Sequence, residues 1–286
     1  MKPIKYALIT PSYWADVERC RFLCESVNRW VDPCVHHYLV IARLDLPLFR
    51  PMVGPRTDLI VVEDIIPKWL FRLPLVRHFW FSLRTRPVKN WILQQIVKLS
   101  VPTVVSEDVL LYADSDMFFI APFDPRSFER DGRVPLFVEN GQRGLIPAND
   151  QWQSTAAGLL GLTPEASYDT NYVNQLIWWR RENAVRAVNR VAEVTGKQWQ
   201  RAIAPLSGFS EYILYGMYNH LVLTEATSGH WVDDQTRTLN YWGTTPLDLE
   251  QLGQFRAKRQ EFQHSAMVSA KSGTPIEDVR KVFGVA

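Results

Sequence analysis

Apolar and polar positions alternate along this chain in a way that separates short buried runs from amphipathic stretches. Residues 4–10 (Ile-Lys-Tyr-Ala-Leu-Ile-Thr) predict a first strand, and Pro11 and Ser12 break it before a helical pattern from Ala15 to Trp30. His37–Ala42 and Asp58–Val62 predict the next two strands. Asn90–Leu99 carries Ile92, Ile96 and Leu99 on one helical face, with Gln95 and Lys98 elsewhere around the turn. The run Val109-Leu-Leu-Tyr-Ala113 predicts a fully buried strand that stops at two carboxylates, Asp114 and Asp116. Strands separated by helices indicate an α/β fold with a parallel sheet covered on both faces. Ligands of such sheets sit beyond the carboxyl ends of the strands. Asp114, Asp116 and the Thr10-Pro-Ser-Tyr13 loop are all expected there.

After Val134–Val138, read as another strand, the pattern changes. Asp169 is positioned to cap a long helix through Tyr172, Leu176, Ile177, Trp178, Trp179, Val185, Val188 and Val191, ended by Gly196. Ser210 starts a further helix with Glu211 in its first turn. Weak strands are expected at Leu221–Thr224 and His230–Val232, then a charged helix from Asp248 to Phe262. Thr274-Pro-Ile-Glu277 has the form of a capping box opening a terminal helix that reaches Phe283. With no internal repeat or low-complexity linker, the simplest partition is one domain over 1–286. Its nucleotide-side half covers 1–140, and a helix-rich acceptor-side half covers 141–286.

Composition narrows the class. A net charge of +2 over 286 residues, without an arginine-rich tail, argues against nucleic acid as a partner. No run of apolar residues is long enough to span a bilayer, and the N-terminal apolar run is too short for a signal peptide, so the expected location is cytoplasmic. Cys20, Cys24 and Cys34 do not form a disulfide framework. Cys20 and Cys24, four apart on the first helix, read as buried thiols or as a shared metal pair. Eleven tryptophans suit sugar faces and interfaces as well as a core. The segment Lys68–Arg86 holds five Lys or Arg, no acid, and several Trp and Phe. It reads either as a peripheral contact with an anionic membrane, at the inner membrane face, or as packing on the sheet with arginines in solvent.

The acids carry the chemistry. Carboxylates one residue apart at a strand end can both turn to a divalent cation, and oxygen ligands suit Mg²⁺ or Mn²⁺ shared with substrate phosphates. Asp and Ser are also ordinary turn residues. Lys98, on the helix before them, can reach a phosphate, pair with a strand-end acid, or simply face solvent. Glu211 complements its helix dipole, or serves as a general base.

Taken together, Thr10-Pro-Ser-Tyr13, Gln94-Gln-Ile-Val-Lys98, Tyr112-Ala-Asp-Ser-Asp116 and Phe209-Ser-Glu-Tyr-Ile-Leu-Tyr-Gly216 resemble a GT-A-type glycosyltransferase, and within that class a poorly characterised bacterial group. The resemblance spans residues 4–220. It implies a Rossmann-like, mostly parallel sheet flanked by helices, a nucleotide-sugar donor, and a glycan or lipid-linked glycan acceptor, with UDP-sugars favoured over GDP-sugars. It assigns Thr10, Pro11, Ser12, Tyr13, Lys98, Asp114 and Ser115 to the donor, and Asp114 and Asp116 to the metal, with Asp116 the direct ligand. A late histidine would complete the metal shell: His264 by position, with His230 competing. For inversion at the sugar's anomeric centre, Glu211 is the first candidate base and Asp150 the second; for retention, Glu211 orients the acceptor. Two other readings stand beside this one. A phosphatase or phosphotransferase of the haloacid-dehalogenase type also has an Asp-x-Asp after an apolar strand. A non-catalytic nucleotide- or carbohydrate-binding module is the third.

Overall fold

The computed structural model describes residues 3–73, 79–163 and 169–284. Residues 74–78 of the basic, aromatic segment therefore lie outside the described residues. The first half follows the expected order: β1 (Tyr6–Ser12), α1 (Val17–Trp30), β2 (His36–Ile41), β3 (Thr57–Val61), α2 (Asn90–Ser100) and β4 (Val109–Tyr112). β3, β2, β1 and β4 lie side by side in that order, all parallel. Period-two alternation explains the layering. Tyr6 and Leu8 of β1, with Val109 and Leu111 of β4, meet Leu23 and Val27 of α1, whereas Ala7, Ile9, Leu110 and Tyr112 meet Ile92 and Ile96 of α2 on the other face. The parallel sheet is covered on both sides, as a fully apolar strand requires.

β5 (Met117–Phe119) and β6 (Val134–Phe137) follow, then α3 (Pro147–Leu160), a helix that the hydrophobic pattern did not single out. Pro147 at its start and Gly161 in a left-handed conformation at its end are the boundary signals. The long helix expected from Asp169 is not formed. Ile177–Arg180 is instead a strand, β7, antiparallel to β4 at the sheet edge, and helix α4 runs only over Arg181–Thr195. Consecutive bulky residues at 177–179 suit a strand covered on both faces better than a helix with one apolar stripe. Asp169 accepts a bond from the Arg143 backbone N–H instead of capping a helix.

α5 (Glu211–Met217) begins as expected at Ser210, whose hydroxyl accepts from the Ile213 N–H at 3.4 Å. Leu221–Thr224 is not a strand; a helical turn over Tyr218–Val222 continues α5. β8 (His230–Asp233), close to expectation, pairs with β6 in a two-stranded sheet. β9 (Thr238–Tyr241), α6 (Leu249–Ala257), β10 (Ser265–Val268) and α7 (Ile276–Phe283) complete the chain. No capping box opens α7, because the Thr274 hydroxyl accepts from the Leu247 N–H at 3.0 Å. β10 is antiparallel to β5 and parallel to β9, so the last strands are laid against the one that follows the acid pair. Cys20 and Cys24 are buried free thiols, and Cys34 is an exposed one.

Candidate functional site

The order β3-β2-β1-β4 reverses direction between β1 and β4, since the chain moves outward from β1 on one side and returns to its other side with β4. Open α/β sheets bind ligands in the crevice at such a reversal. The ends of β1 and β4 meet there, bringing the turn after Ser12 beside the turn after Tyr112.

Alternation carries Asp114 to the α2 side, two residues beyond Tyr112. Lys98 meets it in the last turn of α2. Its ammonium donates to Tyr212 Oη at 2.8 Å and forms ion pairs with Asp114 Oδ1 at 2.9 Å and Glu211 Oε1 at 3.0 Å. Lys98 is only 3% exposed. Burial works against its charge, and Asp114 and Glu211 outweigh burial, holding the pKa well above the ordinary lysine value. Lys98 thus faces inward and links the strand-end acid to the helix-start acid. In this arrangement it pairs with the strand-end acid. Gln95, one turn earlier, accepts from the Glu211 backbone N–H at 3.0 Å, so α2 fixes the start of α5 twice.

Asp116 turns the other way. Its Oδ2 accepts from the Ala270 N–H at 2.9 Å, in the turn after β10. The Ser115 hydroxyl donates to Asp16 Oδ2 at 3.3 Å, which draws a third carboxylate to the site from the turn after β1. Burial and then the Asp114 carboxylate push the Asp116 pKa up to about 6, and burial likewise raises that of Asp16. Arg19 of α1 donates to the carbonyls of Val268 and Thr274, at 3.3 and 2.7 Å, holding the turn that contains Ala270. Tyr13 is 45% exposed, and its pKa is raised by burial, then by Asp16 and Asp116, so its hydroxyl feels both acids. Thr10 and Pro11 are buried behind this edge, Thr10 bonded to His37 Nε2 at 3.0 Å, and Ser12 closes β1.

The remaining candidates stand apart. Asp150 accepts from the Gly144 N–H at 3.2 Å within the loop leading into α3. The ladder sets Val268 opposite Asp116 but His264 opposite Ile120, four residues or about 13 Å away along the strand. His264 Nδ1 lies 2.6 Å from the Pro122 carbonyl oxygen. His230 is enclosed by the Tyr215 hydroxyl and the carbonyls of Val134 and Pro135, and burial pushes its pKa down to about 4.

Three amide side chains at the edge were not foreseen. Gln175 lies two residues before β7, the strand that pairs with β4, which ends at the acids. Asn174 Oδ1 accepts from Asn240 Nδ2 at 3.3 Å. The side-chain carbonyls of Gln175 and Asn240 are buried without a partner, and such orphaned groups call for a ligand or water. The polar Asn174-Gln175 pair immediately before the bulky run at 176–179 was the available signal, obscured by the helical reading.

Among the described residues, no three His, Cys, Asp or Glu side chains are gathered into a metal-ligand set. The donors present nevertheless fit a hard divalent cation. Such ions accept one or two carboxylates and fill the rest of the shell with phosphate oxygens and water. Two of the three acids have raised pKa values, a destabilisation that added positive charge would relieve.

Fold and site together define an α/β protein with a parallel-rich sheet flanked by helices and an acidic site at its order reversal. The chain belongs to the family described as a family of unknown function (DUF6492), which matches residues 5–262. Among solved structures it is similar to the apo-form glycosyltransferase GlyE of Streptococcus pneumoniae TIGR4, with a TM-score of 0.45 and 12% identity over 94% of this chain. The match spans 55% of the GlyE chain, about half its length. It is also similar to an active-site mutant of LgtC, with a TM-score of 0.47 and 11% identity over 92% of this chain and 87% of that one. No curated protein sequence matches.

Proposed function

We propose that this protein is a metal-dependent glycosyltransferase that moves a sugar from a nucleotide-sugar to a glycan or lipid-linked glycan. The observation that carries this reading is the placement of Asp114 and Asp116 just beyond β4 at the sheet's order reversal, with Asp16 drawn toward them through Ser115. Asp114 and Asp116 would hold Mn²⁺ or Mg²⁺, and the bound ion would offset the charge that builds on the departing diphosphate. Tyr13 is suited to cover the nucleoside with its exposed ring. Gln175 and Asn240 have free acceptors for sugar hydroxyls, which an apolar wall could not satisfy. Glu211 is tied to Lys98 and buried, so its role is to fix the acceptor side of the cleft through Lys98 and Tyr212; neither it nor the loop-bound Asp150 is a free carboxylate. That favours an acceptor-orienting Glu211 over a proton-accepting one.

The test is a thermal-shift panel of UDP- and GDP-sugars, with and without Mn²⁺, on the wild type and Asp116→Ala. A ligand at about a hundred times its Kd stabilises the native state by about 2.7 kcal/mol. A rise in Tm that needs both nucleotide and Mn²⁺, lost in the variant, is expected, with UDP-sugars giving the larger rise. If no nucleotide produces a Mn²⁺-dependent rise, the reading fails. Nucleotide binding without sugar transfer or hydrolysis would leave a binding module in its stead.

A further inference from the structure

Between β3 and α2 the chain forms a small antiparallel meander of Leu70–Phe71, Phe79–Ser82 and Val88–Lys89. Its inner face is core: Leu70, Trp80 and Val88 are buried beside Ile92 and Ile96. Its outer face carries Phe71, Phe79, Phe81 and Lys89. Phe71 and Phe81 stack across the strands with ring centroids 6.0 Å apart, and Phe79 pairs with Lys89. Beyond the second strand the Ser82 hydroxyl accepts from the N–H groups of Arg84 and Thr85, at 3.1 and 2.8 Å. The Leu83 N–H donates to the Trp69 carbonyl at 3.0 Å. This built turn holds the Leu83 side chain outward, 78% exposed, with Phe79 at 47% and Trp91 at 41% nearby in the chain.

We propose that this face is a docking surface for membranes containing anionic phospholipid. No aspartate or glutamate occurs between Asp64 and Glu107, whereas Lys68, Arg84, Arg86 and Lys89 are exposed within that interval. Cations around an apolar centre match a lipid surface: charges meet head groups while Leu83 and Phe79 enter the acyl boundary. Nucleic acid would use stacked rings along a basic groove, and would gain nothing from an outermost aliphatic tip. The strand Val88–Lys89 leads directly into α2, which carries Gln95 and Lys98. Docking would therefore hold a fixed relation between the lipid surface and the acid site. The lipid-linked form of the acceptor rests on the proposed transferase reading; the docking itself does not.

Co-sedimentation of the full chain tests it, using phosphatidylcholine vesicles with and without phosphatidylglycerol at low and high salt. The wild type is expected to bind only the anionic vesicles and to be released by salt. Replacing Arg84, Arg86 and Lys89 by Gln should weaken binding by about five-fold per charge, the equivalent of about 1 kcal/mol each. Leu83→Ser should weaken it about ten-fold at unchanged salt dependence, or about 1.4 kcal/mol. Each variant must keep the wild-type Tm and the Mn²⁺-dependent nucleotide shift, which separates failure of docking from failure of the transferase reading. Absence of binding to anionic vesicles overturns the proposal, as would a dimer in light scattering that Leu83→Ser dissociates, or retention of an oligonucleotide in place of vesicles.

Discussion

Asp116 is the residue on which opposing demands converge. Its pKa is about 6 in the folded chain against an ordinary 3.8, raised first by burial and then by Asp114. A carboxyl group with a raised folded pKa binds more protons when native than when unfolded, so its contribution to stability is fully present below about pH 4 and is lost as pH rises through about 6. At neutral pH the ligand-free protein bears that cost, and Asp116→Asn should raise its stability by about 2–3 kcal/mol in urea titrations. Cation binding has the opposite sign, because it needs the carboxylate. The Mn²⁺-dependent Tm shift of the wild type should therefore be full near pH 8 and fade below about pH 6. A shift unchanged down to about pH 5 would remove Asp116 from the ligand set. Asp114 and Asp116 were legible in sequence because they directly continue an apolar strand. Asp16, Gln175 and Asn240 were not, since pairing across distant segments brings them to the edge; the Asn240–Asn174 contact spans 66 positions. Lys98 was legible as a candidate but its direction was not: it lies off the apolar stripe of α2, yet α5 covers that side as well.

At the scale of elements, the parallel strands were readable because each is a short apolar run with clear breaks. The stretch at 169–196 was misread because its apolar positions satisfy a helical period by coincidence while 177–179 pairs as a strand. The junction itself is unusual. Leu176 has φ +58° and is nearly fully buried, in the cluster with Val109, Leu111 and Trp178. A left-handed conformation costs a leucine about 1–2 kcal/mol, and its burial contributes about 1.5–3 kcal/mol, so packing wins by a narrow margin. That balance bends the chain from the Asn174–Gln175 amides into β7. Leu176→Ala loses the packing and keeps the backbone cost, a destabilisation of about 2–5 kcal/mol. Leu176→Gly loses the packing but relieves the backbone. The glycine variant should therefore be the more stable of the two by about 1 kcal/mol in urea unfolding, the reverse of the usual helix or strand ranking. Alanine outranking glycine would refute the strain.

For the whole molecule, the decisive feature is that the C-terminal strands complete the site begun by β1 and β4. The family match ends at 262, but β10 and the turn after it lie beyond that point, and Ala270 supplies the N–H that orients Asp116. β10 also closes an apolar cluster in which Phe22, Phe118 and Leu239 pack with Ala266, Val268, Val279 and Phe283. Two truncations separate these contributions. A chain ending at Thr274 loses α7, and with it Val279, Phe283 and the ion pair of Arg280 with Glu25 at 2.5 Å, but keeps β10, Ala270 and the Thr274 carbonyl that Arg19 holds. Its Tm should fall while its Mn²⁺-dependent nucleotide shift persists. A chain ending at Phe262 loses β10, strips β5 of its partner strand and leaves Asp116 without its backbone donor. Cooperative melting and the nucleotide shift should then disappear together. If the shorter chain still responded to nucleotide and Mn²⁺, the site would be complete without its C-terminal strand, and the Ala270 turn would have no part in holding Asp116 for the metal.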